Sequence, residues 1–180
     1  GAVKKDYTIR LVDEKGLVSE KLDASTNPNK PKIEGPKIEK GSKISENDSG
    51  SEAGPVRIGT DSSGAELSLS SAPASTKVHC TLTEIGSTES PTSYEGNSVT
   101  VPLPLKGAGE KNYKLEYYAD GTGFETTSKK TVYYKILQEY TVTFSVASGE
   151  GKLQGAYGSQ NLIAQNGGGI QTLSNVPHGT

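Results

Sequence analysis

Methionine and tryptophan are absent from this chain of 180 residues, phenylalanine and histidine occur twice each, and cysteine once. A lone cysteine excludes an internal disulfide framework and says nothing of the redox compartment. One Cys and two His, with His178 almost at the end, do not make a zinc set. No apolar run approaches the ~20 residues that a bilayer span needs, so no membrane insertion is expected of this segment. No charged stretch followed by an apolar one opens the chain. A secretion leader is therefore either absent or already removed, and Gly1-Ala2 read as the start of a piece cut from something longer. Charge of one sign is lacking too: 19 basic and 21 acidic side chains leave a formal net charge of −2. That is too balanced to steer the chain onto nucleic acid or an anionic membrane.

What is present points to short strands and many turns. Hydrophobic residues make up 31%, lean for a globular domain, while 22 Gly and 9 Pro supply turns. The segment "YTIRLV", Tyr7 to Val12, reads as a strand at the end of a preceding module occupying residues 1–26. Residues 27–54 are poor in apolar side chains and rich in Pro, Gly and Asn, and they read as a linker or long exposed loop. From Pro55 the pattern becomes period two. Val56 and Ile58 share a face, as do Leu67 and Leu69, and Val78, Cys80 and Leu82. The same holds for Val99, Val101, Leu103 and Leu105, for Tyr113, Leu115, Tyr117 and Ala119, and for Val132, Tyr134 and Ile136. No segment carries a 3.6-residue period. Pro102 and Pro104 remove two donors from one side of a strand, so that strand lies at a sheet edge or leaves a sheet at that point.

These alternations predict an all-β chain: an antiparallel β-sandwich over residues 55–138, followed over 139–180 by a small second β module that either docks on the sandwich or is the front half of a longer module. The second unit opens with "YTVTFSV" and holds short strands near Lys152 to Gly155 and Ile170 to Leu173.

The order "LSLSSAPASTKVHCTLTEIGSTESPTSYEGNSVTV", "YKLEYYADGTGFE" and "YYKI" resembles a bacterial immunoglobulin-like module of the chitobiase/β-hexosaminidase C-terminal type. Gly86 to Gly96, "GSTESPTSYEG", carries most of that likeness, although Glu84-Ile85 replaces the usual aspartate before the Gly-Ser-Thr. The segment from Tyr140, "YTVTFSVASGEGKL", is similar to the opening of a divergent internalin-type B-repeat. The resemblance implies an Ig-like sandwich strung in tandem along a large bacterial cell-surface or secreted protein, hence an extracellular location. It implies a non-catalytic structural or adhesive role, with neighbouring modules of the same chain, a host protein or a glycan as partners.

Candidate chemistry is sparse. Cys80 and His79 are neighbours in a strand, so their side chains point to opposite faces and do not form a nucleophile and base. "DGTGFE", Asp120 to Glu125, pairs carboxylates around glycines but lacks the Asp/Asn spacing of a calcium loop. "GGGI", Gly167 to Ile170, is not followed by the Gly-Lys-Ser/Thr of a phosphate loop. No cofactor and no metal is expected. The tyrosines offer more: Tyr118 and Tyr133 fall on the outer face and Tyr94 reads as part of a turn. Exposed aromatics stack on sugar rings or anchor protein contacts, so these three are the candidate ligand-binding residues of the alternative function, a carbohydrate-binding accessory domain.

Overall fold

A computed structural model describes residues 5–16, 18, 22–26, 30–44, 50–105, 109–157, 160–165, 167–168 and 170–180. All regular structure among them is strand. An N-terminal hairpin pairs β1 (Lys5–Ile9) with β2 (Leu22–Thr26), and a bridge joins Val12 to Val18 between them. A three-stranded sheet follows the order β3 (Lys32–Lys40), β6 (Ala65–Ala72), β9 (Ser98–Leu103). The larger sheet runs β4 (Ser42–Lys43), β5 (Val56–Thr60), β11 (Lys130–Phe144), β10 (Glu110–Gly121), β7 (Thr76–Glu84), β8 (Thr92–Gly96). At the C-terminal side, β12 (Lys152–Tyr157) pairs with β13 (Gln160–Gln165), and β14 (Gln171–Pro177) pairs with the second half of β11.

The two sheets close on one core. Leu67, Leu69, Val99, Val101 and Leu103 from the smaller sheet meet Val78, Cys80, Leu82, Leu115, Tyr117, Tyr134 and Ile136 from the larger. These are the residues that period-two alternation turns inward, and Ile58, Leu67, Val78, Leu103, Leu115 and Ile136 are fully sealed from water. The chain passes from one sheet to the other between β3 and β4, β5 and β6, β6 and β7, β8 and β9, and β9 and β10. Two faced sheets with these crossings form an Ig-like β-sandwich. One pair departs from the antiparallel expectation: β5 runs parallel to β11, with Tyr134 opposite Val56 and Gln138 opposite Thr60. The proline reading holds, since β9 is an edge strand and stops at Leu103.

The reading of residues 27–54 as linker or loop is corrected over its middle part. Residues 27–29 and 45–49 lie outside the described residues, but β3 is a nine-residue strand antiparallel to β6. Ile33 and Ile38 are five apart, an odd spacing that a regular strand would turn to opposite faces. The register slips by one residue between Glu34 and Lys37, where Lys37 pairs with Ser68 and Glu34 with Ser70. This bulge returns both isoleucines to the core. Gly35 makes it possible: its φ is +101°, and a Cβ there would lie 2.4 Å from the Ser68 carbonyl oxygen.

Two further differences concern the C-terminal part. The expected short strands are found and extend further, and β13 was not anticipated. The expected junction after Gln138 falls inside β11, which runs unbroken for 15 residues, pairing first with β10 and β5 and then with β14.

Candidate functional site

The outward faces of β8, β7 and β10 lie side by side, and register decides which side chains meet. His79 is opposite Glu95 on one side and Tyr118 on the other, while Lys77 is opposite Asp120. The His79 and Tyr118 rings stack with centroids 4.8 Å apart and planes 12° from parallel. His79 Nε2 lies 2.9 Å from Asp120 Oδ1, and Nδ1 lies 3.5 Å from Glu95 Oε2. Lys77 Nζ donates to Glu95 Oε1 at 2.6 Å. This bond holds the Glu95 carboxyl below the usual range and raises the Lys77 ammonium above its own. Both groups are exposed, so the pair organises the surface more than it stabilises the fold.

Beside this cluster is an open depression whose rim includes Ser75, Thr122 and the half-buried Phe124. Ser75, His79 and Asp120 share it, yet each imidazole nitrogen already faces a carboxylate oxygen, and no hydrogen bond joins Ser75 to the ring. What the surface offers is a stacked aromatic pair, a phenyl group and alternating charged groups, a set suited to reversible contact with polar rings or chains.

Of the three candidate tyrosines, Tyr118 belongs to this cluster. Tyr133 is on the same face of β11 but opposite Lys114, four residues along from Tyr118 in register, or about 13 Å at 3.3 Å per residue. Tyr94 is not in a turn. It sits in β8 opposite Cys80, on the inward side, half-buried against the core. Burial first, and the Cys80 thiol second, push its phenol pKa up. The reason is that "TSYEG" has a turn-like composition, but as an edge strand it needs only one ladder, which β7 supplies. The three tyrosines therefore do not converge. Asp120, Glu95, Lys77 and Phe124 were not foreseen as a group, because cross-strand proximity depends on a register that no single segment encodes.

Cys80 points into the core and His79 out of it, as alternation requires. Desolvation raises the thiol pKa from 9.0 to about 11. Among the described residues no group of three or more His, Cys, Asp or Glu side chains is placed to hold a metal ion. Asp120 and Glu125 are drawn to different partners, His79 and Lys30 respectively. No helix among the described residues is long and apolar enough to cross a membrane.

No protein-family model matches the chain, and no curated protein matches it. Among solved structures it is similar to the FN1–FN3 domains of chicken CNTN1, at 10% identity and a TM-score of 0.32, over 95% of this chain and 67% of that one. Strand order and the shared core make the sandwich Ig-like.

Proposed function

We propose that this chain is a non-catalytic spacer or adhesive module of a larger bacterial cell-surface or secreted protein, joined end to end with neighbouring modules. The observation that supports this most is where the chain enters and leaves the sandwich. Lys32 pairs with Ala72, and Lys30 Nζ lies 3.6 Å from Glu125 in the connection between β10 and β11, so the chain comes in at that end. β11 starts at the same end, with Lys130 opposite Tyr117, and leaves at the other, where Gln138 N donates to the Gly109 carbonyl. Opposite ends are what a module needs to transmit tension or add length in a row. The finer resemblances, to the chitobiase-type module and the internalin-type B-repeat, rest on the quoted motifs and agree with such an arrangement.

Pulling experiments test the mechanical reading. Force applied through cysteines at Lys30 and Thr141 pulls on opposite ends of the sandwich and loads the β3–β6 ladder in shear, whereas force through Lys30 and Lys130 pulls from one end. The first geometry is expected to unfold at higher force, and equal forces would count against a load-bearing spacer. Labelling of intact, unpermeabilised source cells by an antibody to the chain tests the location.

The carbohydrate-binding alternative is favoured by the depression beside the Tyr118–His79 stack. Glycan-array binding abolished by Tyr118→Ala together with Phe124→Ala would support it. Binding that survives that change, and replacement of Tyr94 and Tyr133 as well, would remove it.

A further inference from the structure

A second concavity lies on the lateral margin of the sandwich, between β3 of the smaller sheet and the β5–β11 pair of the larger. It encloses about 540 Å³, within the range of small-molecule pockets. Pro36 and Ile38 form one wall and Val56 and Val132 the other, with Tyr117 and Tyr134 beneath. Both tyrosines are buried, at 4% and 3% exposure.

Their hydroxyls are unusual for core tyrosines. Tyr113, equally buried, donates to the Pro104 carbonyl. No hydrogen bond from a described residue reaches the phenol oxygen of Tyr117 or Tyr134. Among the described residues Ser71 Oγ is the sealed side-chain oxygen that lacks a partner. The Tyr117 and Tyr134 oxygens, unpartnered but not sealed, therefore open on the cleft. Each is an O–H donor that no acceptor among the described residues uses, open to a ligand that enters the cleft. Burial raises the pKa of both phenols, so both stay protonated as O–H donors. Lys43 and Lys130 stand at the mouth, and no carboxylate of a described residue lines the cleft.

We propose that this cleft binds a small organic anion, a carboxylate carried on a short apolar body. The carboxylate accepts from a phenol O–H on the cleft floor with the Lys130 ammonium nearby, and the apolar body lies against Pro36, Ile38, Val56 and Val132. This assignment is independent of the spacer reading, which needs no ligand.

Benzoate is the probe and benzamide, of the same shape without the charge, its control, followed by methyl NMR of Ile38, Val56 and Val132. Saturable shifts are expected with benzoate, and affinity at least about tenfold weaker for benzamide and for the Tyr117→Phe/Tyr134→Phe variant, which keeps both rings. Lys130→Gln, an exposed change, is expected to weaken benzoate binding and leave thermal stability unaltered. Absence of saturable shifts, equal affinity for benzamide, or equal affinity in the double variant would overturn the assignment. So would a lower melting temperature of the double variant, because the hydroxyls would then be serving the fold.

Discussion

His79 and Cys80 are adjacent in sequence and meet opposite environments. His79 stacks on Tyr118 in a charged outer cluster, and Cys80 is sealed among the side chains of both sheets. Because the Cys80 thiol is raised to about 11 in the folded chain, it keeps its proton at pH 8 and is shielded from reagents. Alkylation at pH 8 should be slow in the native protein and fast in urea; equal rates would place the thiol outside the core. The sign for stability follows from the same shift. Between about pH 9 and pH 11 the unfolded chain gives up a proton that the folded chain retains, so stability falls as pH rises through that window. Burial of Tyr113 and Tyr134 acts in the same direction at still higher pH. Urea midpoints should therefore drop from pH 8 to pH 10.5, and less so in Cys80→Ala once its own cost at pH 8 is subtracted. Leu115 has no exposed surface and lies on β10, inside the larger sheet. Leu115→Ala is expected to lower the unfolding free energy by about 2–5 kcal/mol, read from denaturant curves.

At the scale of elements, legibility depended on whether a strand keeps its period. β6, β7, β9 and β10 alternate without interruption, and their inward residues can be named from the letters alone, down to Leu67, Cys80, Val101 and Leu115. β3 hides because its bulge changes the parity between Ile33 and Ile38, so its two core residues look unrelated. β8 hides because an edge strand with one half-buried side chain, Tyr94, has too little pattern to separate it from a turn. The outer cluster hides for a third reason: His79, Glu95 and Asp120 are distant in sequence and meet only through the pairing of three strands. The bulge makes a prediction of its own. Gly35→Ala brings a methyl into the Ser68 carbonyl at a positive φ and should destabilise by more than about 1 kcal/mol, with faster amide exchange in β3 than in β10. Asn97, between β8 and β9, ties the crossover to the β6–β7 turn by donating Nδ2 to the carbonyls of Ser71 and Thr76 at 2.6 and 3.1 Å. Asn97→Ala should cost about 1 kcal/mol in thermal or urea unfolding; no change would mean water replaces both bonds.

For the whole molecule, function is tied to direction. The same 15-residue strand closes the sandwich against β10 and β5 and then carries β14, so the C-terminal sheet continues a core element instead of hanging from a loop. Spin labels on Lys30→Cys and Thr141→Cys, in a chain whose native thiol is sealed, measure this directly. With the chain entering and leaving at opposite ends, the eleven residue steps from Lys130 to Thr141 predict one narrow distance distribution centred near about 35 Å. A centre under about 20 Å, or a broad spread across that range, would contradict the end-to-end arrangement and with it the spacer reading.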